Sequence, residues 1–205
     1  GWITAVTAAF RGLDHADGVA GTVGAVTAFG VAACAAAELM DGLAVLVSVL
    51  AAALAGFLLH NWHPARAALG AGGSLFTGFV IASAAVFVRA GQGIGAGAGV
   101  LYALTAVTCA DAVLVVRARR LARWPVTRGR PDHLGHRLRR LGIAHRAVTV
   151  LIGAASLGGV LVGVAVHAGR VPGSAVLWVA AVAAVIVLAF VRLPVTPVFR
   201  PRQRS

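Results

Sequence analysis

The sequence predicts an all-α membrane protein, a bundle of about six transmembrane helices that forms a single domain over residues 1–205. Hydrophobic residues make up 60% of the chain, and the long apolar runs lack the period-two alternation that is typical of strands. The mean hydropathy is +0.91. Such an apolar surplus must face lipid or neighbouring membrane helices, so we do not expect a soluble domain or nucleic acid as a partner.

Apolar segments of about 20 residues, the length that crosses roughly 30 Å of hydrocarbon, follow one another along the chain. The predicted spans are Val19 to Ala37, Leu43 to Leu59, Ser74 to Val88, Gly97 to Val116, Ala147 to His167 and Ser174 to Val191. The second and third are short, which favours tilt or re-entry at the glycines of residues 70–73. Ile3 to Phe10 is interpreted as the stub of an earlier span, and a chain that begins at Gly1 without methionine is expected to be truncated at its N-terminus.

The arginines predict the orientation, since they supply all the basic charge and the chain has no lysine. They cluster in the loop 117–146 and in the tail 192–205, whereas the opposite side of the membrane has only Arg89 and Arg170. By the positive-inside rule, both ends and the basic loop lie in the cytoplasm.

A first polar block, LDHADGVAG, lies just before the first span and contains Asp14 and Asp17. Carboxylates three residues apart share a helix face and are suited to Mg²⁺, which prefers oxygen ligands. The alternative is that both carboxylates cap free amides at a helix start.

A second block, HNWHPARAALGAGGSLF, follows the second span and contains Asn61 and Arg66. Backbone amides in a glycine-rich turn ahead of a helix can bind an anion. The alternative is an ordinary interfacial loop with Trp62 at the headgroup level.

A third block joins Asp111, near the cytoplasmic end of the fourth span, to the basic loop with His133, His136 and Arg137. An ionisable group inside a membrane usually faces a wet cavity, and arginines and histidines are donors suited to phosphate oxygens. The alternatives are an ion pair between Asp111 and Arg117 or Arg120, and a loop that binds anionic lipid.

In sequence order, the blocks resemble the C-terminal half of the polyprenyl-phosphate N-acetylhexosamine-1-phosphate transferases, glycosyltransferase family 4. The first block is similar to DGLDGLAAG, with Asp14 and Asp17 on the acidic positions. The second is similar to NxxPAKxFMGDxGSLF, with Asn61 on the asparagine and Arg66 on the lysine. The third is similar to DHLHHRLLRLGLSHR and is nearer to the N-acetylglucosamine branch than to the muramoyl-pentapeptide branch. Further matches are Pro64, Ala65, Gly70, Gly73 and Ser74.

The resemblance implies a multi-pass protein of the bacterial plasma membrane whose active face is cytoplasmic. It implies a Mg²⁺-dependent reaction in which polyprenyl phosphate attacks the β-phosphate of a UDP-N-acetylhexosamine and UMP leaves, in the synthesis of cell-wall or surface glycans. Asp14, Asp17 and Asp111 would be catalytic, and the first two would bind the metal. Substrate phosphates would be bound by Asn61, Arg66, His133, His136 and Arg137.

The chain departs from the family's pattern at several positions. Ala71 stands where the GDxGS segment has its aspartate, and Gly135 replaces one histidine of HxHH. Arg11 and His15 stand where the first block usually has asparagine and glycine. Two hypotheses follow: a divergent transferase, or a catalytically inactive membrane module that keeps a phosphate-binding loop.

Two smaller features have structural interpretations. Gly159 and Gly163 form a GxxxG pair in the fifth span, which would permit a homodimer or else reflects abundant glycine. Cys34 and Cys109 fall in different spans and are interpreted as packing residues.

Overall fold

A computed structural model describes residues 1–91, 93–121, 123 and 133–191 of this protein. These residues form helices and no strands, which confirms the predicted all-α class. Residues 122 and 124–132 of the predicted basic loop, and the predicted basic tail 192–205, lie outside the described residues. The helices are α1 (Trp2–Leu13), α2 (Val19–Ala37), α3 (Asp41–Asn61), α4 (Gly70–Val88), α5 (Ile94–Leu104), α6 (Ala106–Leu121), α7 (Leu134–Arg140), α8 (His145–His167) and α9 (Ala175–Val191).

Over the described residues, the structure gives four or five full-length spans where about six were expected. Within the described residues, α2, α3, α4 and α8 are long and apolar enough to cross a membrane, and α5 with α6 gives up to five spans if counted as one. α9 comprises 17 residues over the described range, which is about 26 Å of helix and shorter than the hydrocarbon thickness. The second and third spans are not short, since α3 has 21 residues and α4 has 19.

Helix α2 lies at the centre of the bundle, where it packs against α3, α4 and α8. Its small side chains permit this close packing, and Val23, Ala28 and Val31 are almost fully buried. Large apolar side chains point outwards instead, with Phe29 69% and Trp178 77% exposed. A surface of this kind is suited to lipid, which agrees with the hydropathy of the chain.

The apolar run Ile3 to Phe10 belongs to helix α1, which packs inside the bundle against α4 and α6. Val6 and Phe10 are buried there, and Gly78 of α4 allows the close approach. A Cβ atom added at Gly78 would lie 2.7 Å from the Cβ of Phe10. The short helix ends at Leu13 and so delivers Asp14 and Asp17 to one end of the bundle.

The predicted span Gly97 to Val116 is broken at Thr105, and its two halves are bent by 80°. The Thr105 hydroxyl donates to the Leu101 carbonyl at 2.7 Å, a side-chain bond that competes with the helical ladder and favours bending. Apolar composition continues through the break, so hydropathy alone does not predict it. The bend directs α6, and with it Asp111, towards the first polar block.

The GxxxG pair of α8 packs against this bend within the chain. A Cβ atom at Gly159 would lie 2.8 Å from the Ala103 carbonyl oxygen, and one at Gly163 would lie 3.2 Å from the Leu104 nitrogen. Both glycines therefore pack against another helix of the same chain. The homodimer stays a prediction, and the packing of these glycines does not support it.

We expect Gly159→Ala to lower the free energy of unfolding by about 1–3 kcal/mol, because its new methyl group presses on backbone atoms that have no rotamer to change. Gly158→Ala is the matched control, since a Cβ atom there has nothing within 4 Å, and it measures the helix-propensity gain alone. Denaturant unfolding in detergent would compare the two. Equal stability of both variants would contradict the proposed role of Gly159.

Candidate active site at one end of the bundle

The three polar blocks meet at one end of the bundle. The loop between α1 and α2 contacts the loop between α3 and α4 on one side and the start of α7 on the other. Each contact joins residues far apart in sequence. The site is therefore a product of tertiary structure, and its members are described in turn.

Asp14 binds the start of helix α4. Its Oδ1 accepts from the Leu69 amide at 3.2 Å and its Oδ2 from the Gly70 amide at 2.7 Å. Burial raises the pKa of Asp14, while the Gly70 and Leu69 amides partly oppose that rise. The alternative interpretation, that this carboxylate caps free amides at a helix start, therefore holds for Asp14. The capped helix is α4 and not α2, which follows Asp14 in the sequence.

Asp17 forms the second carboxylate contact. Its Oδ2 lies 2.7 Å from His63 Nδ1 and accepts from the Ala65 amide at 3.4 Å. Burial tends to raise the pKa of Asp17, but the bonds to His63 and Ala65 and the charge of Arg139 lower it overall. These hydrogen bonds all reach Oδ2, so Oδ1 is the atom that a further ligand would contact.

The peptide group that joins Asp17 to Gly18 is held from both sides. The Thr149 hydroxyl of α8 donates to the Asp17 carbonyl at 2.8 Å, and the Gly18 amide donates to Asn61 Oδ1 at 3.0 Å. Asn61 also donates through Nδ2 to the Ala67 carbonyl at 2.7 Å. Gly18 has φ +76°, and a Cβ atom there would lie 2.9 Å from Thr149 Cγ2. This clamp sets the direction of the Asp17 side chain.

Asp111 is 2% exposed and lies beside helix α7. Its Oδ2 is 2.7 Å from His133 Nδ1, and its Oδ1 accepts from the Leu134 amide at 2.7 Å. The carboxylate therefore both orients an imidazole and caps the first turn of α7. The alternative of a pair with Arg117 or Arg120 is wrong for the described residues, where His133 and Leu134 are its partners.

The remaining predicted residues are distributed unevenly. Arg137 is 2% exposed, and its Nη1 donates to the Phe190 carbonyl of α9, so this hydrogen bond faces the bundle rather than the site. His136 is half-buried, and burial together with the charge of Arg139 lowers its pKa. Arg66 is exposed in its loop, and Ala71 is exposed in the first turn of α4, one residue after the Gly70 amide that Asp14 accepts.

Sequence reasoning missed His63 and Thr149, whereas His145 and Arg139 belong to the basic loop that was expected to supply donors to phosphate oxygens. His63 bonds Asp17 and stacks on His145, with ring centroids 4.2 Å apart. Arg139 influences the pKa of Asp17 and shares an open depression with His136 and His145. His63 belongs to the second polar block, so its presence there was a usable signal. Thr149 lies in an apolar helix and gives no sequence sign of its contact.

The described residues contain no group of three His, Cys, Asp or Glu side chains that could hold a metal ion. Asp14 and Asp17 are the carboxylates that fit best. Mg²⁺ is often held by one or two carboxylates together with substrate phosphates, so a metal site on Asp14 and Asp17 would need phosphate oxygens to complete it.

We expect the Asp17→Asn variant to lose less stability than the wild type when the pH is lowered. Because the folded-state pKa of Asp17 is lowered, its ionised form stabilises the fold above the unfolded-state pKa, and this contribution is lost as pH falls through the folded-state pKa. Asp17→Asn should therefore lose less melting temperature than the wild type between pH ~7 and pH ~3.

Asp14→Asn is the control of opposite sign for this measurement. The folded-state pKa of Asp14 is raised, so its protonation favours the fold as pH falls, and removing it should steepen the acid loss. Identical pH profiles for both variants would contradict the assignment of Asp17 as the stabilising carboxylate.

Comparison with known proteins gives a consistent set of relatives. A family model described as glycosyl transferase family 4 matches residues 1–89. The chain is 67% identical over 195 residues to a putative glycosyltransferase of Streptomyces coelicolor, which covers 95% of this chain and 47% of the relative. It is 32% identical over 162 residues to decaprenyl-phosphate N-acetylglucosaminephosphotransferase of Mycolicibacterium smegmatis, which covers 68% and 39%.

A third relative belongs to another branch. The chain is 30% identical over 148 residues to phospho-N-acetylmuramoyl-pentapeptide-transferase of Rubrobacter xylanophilus, which covers 72% of this chain and 43% of the relative. The chain thus spans about half the length, or less, of the curated relatives that it matches.

Proposed function

The chain belongs to glycosyl transferase family 4, nearer to the N-acetylglucosamine branch than to the muramoyl-pentapeptide branch, and on this basis we propose that it acts in phospho-sugar transfer to a polyprenyl phosphate. The donor would be a UDP-N-acetylhexosamine and the released product UMP. The protein would lie in the bacterial plasma membrane with the site facing the cytoplasm, where the donor is made.

The observation that carries the proposal is the meeting of three sequence-distant polar blocks at one bundle end. Asp14 binds the Gly70 amide, Asp17 binds His63, and Asp111 binds His133. Carboxylates, imidazoles and arginines assembled beside an apolar bundle suit a reaction between a soluble diphosphate and a lipid phosphate. Catalysis of such transfers depends mainly on positioning and on charge neutralisation.

The residues then have distinct parts in the reaction. An oxygen of the lipid phosphate attacks the β-phosphorus of the donor, the bond to the α-phosphate oxygen breaks, and UMP leaves. Asp17, with Asp14, would hold Mg²⁺, which neutralises phosphate charge when bound. His133, oriented by Asp111, and His136 with Arg139 would contact phosphate oxygens.

A second candidate function, phosphate binding without turnover, is favoured by Ala71. Its position follows the Gly70 amide that Asp14 accepts, so a carboxylate at residue 71 would lie close to the first block. The family pattern has an aspartate at this position, so alanine there would remove one group for Mg²⁺. Each 1.36 kcal/mol of lost transition-state stabilisation is about tenfold in rate.

The test is UMP release from UDP-N-acetylglucosamine with undecaprenyl phosphate and Mg²⁺, measured for the wild type, Ala71→Asp and Ala71→Asn. We expect slow or undetectable release by the wild type and about tenfold or greater gain in Ala71→Asp alone, since asparagine has the same size without the charge. Wild-type turnover that Ala71→Asp does not raise would exclude the binding-only function. If no variant releases UMP or binds UDP-N-acetylglucosamine, the transferase proposal fails.

A further inference from the structure

His63 connects the first carboxylate block to the start of helix α8. Its Nδ1 lies 2.7 Å from Asp17 Oδ2. Its ring stacks on His145, with centroids 4.2 Å apart and planes that differ by 20°, and its carbonyl oxygen accepts from Arg146 Nε at 3.4 Å. Two consecutive residues of α8 therefore hold the ring and the backbone of His63 while its Nδ1 contacts a carboxylate of another loop.

The hydrogen bond between His63 and Asp17 has one direction. An ionised carboxylate only accepts, so His63 Nδ1 donates, and a neutral imidazole is sufficient for this. The Ala65 amide donates to the same oxygen, Oδ2, at 3.4 Å. Among the described residues, both donors therefore reach one oxygen of Asp17, and Oδ1 is the oxygen that they leave for a ligand.

The orientation of the Asp17 carboxyl group depends on these donors. The clamp formed by Thr149 and Asn61 fixes the peptide group after Asp17, but the terminal torsion of an aspartate side chain has a broad energy well. Packing does not restrict it, since the Asp17 side chain is 38% exposed. The short hydrogen bond from His63 is therefore the contact that sets which oxygen of Asp17 faces a ligand.

We propose that His63 is a positioning residue, which holds Asp17 Oδ2 so that Oδ1 is presented to a divalent cation bound together with the phosphates of the donor. The proposal rests on the proposed function, which supplies the donor and the cation. Carboxylate ligands of metals are usually oriented by such hydrogen bonds. His63 is not assigned as a ligand itself, because the described part of the chain contains no group of three side chains that could hold a metal ion.

Three substitutions of His63 separate the functions of its imidazole. His63→Phe keeps a ring that can stack on His145 but has no donor. His63→Asn places an amide nitrogen close to the position of Nδ1 and can still donate to Asp17, whereas the longer side chain of His63→Gln places it closer to the position of Nε2. His60→Phe is the matched control, because His60 is an exposed histidine in the last turn of α3.

The test is the affinity for UDP-N-acetylglucosamine, measured by calorimetry on the whole chain in nanodiscs, once with Mg²⁺ and once without divalent cations. We expect Mg²⁺ to tighten binding by the wild type, and His63→Phe to lose about tenfold in affinity with Mg²⁺ but nothing without it. His63→Asn should keep most of the affinity that His63→Phe loses, His63→Gln should not, and His60→Phe should match the wild type. In an Asp17→Asn background, His63→Phe should have no further effect, because His63 acts through Asp17.

The other outcomes overturn the proposal at different levels. If His63→Phe keeps the full gain from Mg²⁺, His63 does not position Asp17, and the transferase proposal stands. An equal loss with and without Mg²⁺ indicates a distorted loop and also overturns the role of His63. Recovery by His63→Gln and not by His63→Asn shows that Nε2 is the nitrogen in use, which contradicts positioning through Nδ1. A wild type that binds UDP-N-acetylglucosamine equally with and without Mg²⁺ overturns the metal role of Asp17, and one that does not bind it at all overturns the proposed function itself.

Discussion

Asp111→Ala is expected to lower the free energy of unfolding by about 2–5 kcal/mol, because it leaves two buried donors without their acceptor. Those donors are the His133 Nδ1–H and the Leu134 amide, each 2.7 Å from an Asp111 oxygen. Denaturant unfolding in detergent measures the loss. Pyrophosphate binding should fall in the protein that remains folded, because His133 loses the group that orients it.

Asp111→Asn separates stability from orientation at the same position. Asparagine keeps the size and can still accept from the Leu134 amide, but its amide nitrogen turns a donor towards His133 Nδ1. We therefore expect a smaller stability loss and a similar loss of ligand binding.

Thr108→Val is the control for Asp111, one turn earlier in α6. Thr108 is fully buried, and its hydroxyl has no hydrogen-bond partner among the described residues, so valine should change stability by less than about 0.5 kcal/mol. An Asp111→Ala variant as stable as Thr108→Val would contradict the role of Asp111 as the acceptor for α7.

Asn61→Leu is expected to lower the free energy of unfolding by about 2–4 kcal/mol, since leucine keeps the volume but makes neither of the two hydrogen bonds of Asn61, one buried and one half-buried. The Gly18 amide loses its acceptor and the Ala67 carbonyl its donor. The loop that presents Asp17 is then released from α3. Faster proteolysis within residues 14–18 and 62–69 would accompany the lower stability.

Thr149→Val removes only the other hydrogen bond of this clamp, from the Thr149 hydroxyl to the Asp17 carbonyl. It should lower the free energy of unfolding by about 1 kcal/mol. In the double variant the two losses should not add, because both hydrogen bonds hold one peptide group. His60→Ala, the exposed neighbour of Asn61, should leave stability unchanged. Strict additivity, or a wild-type stability for Asn61→Leu, would show that the clamp does not act as a unit.

Much of the helical framework was predictable because a membrane span is a local property of composition and length. The predicted span Val19 to Ala37 coincides with α2, and the span Ala147 to His167 lies within α8. Burying about 20 apolar residues together leaves few alternatives to a helix, since each backbone amide must bond within its own segment. The bend at Thr105 was not predictable, because it depends on one hydroxyl and on two glycines of another helix.

The candidate site shows the same division. The order and the residue patterns of the polar blocks indicated the family. They also identified Asp14, Asp17, Asp111 and His133 as candidate site residues, because these side chains are conspicuous in an apolar chain. Tertiary structure alone decided the pairings: Asp14 with the Gly70 amide, Asp17 with His63, and His15 with His133. It also directed the Arg137 hydrogen bond to α9. Composition reports which groups are present, whereas hydrogen bonding and packing between distant helices decide which of them meet.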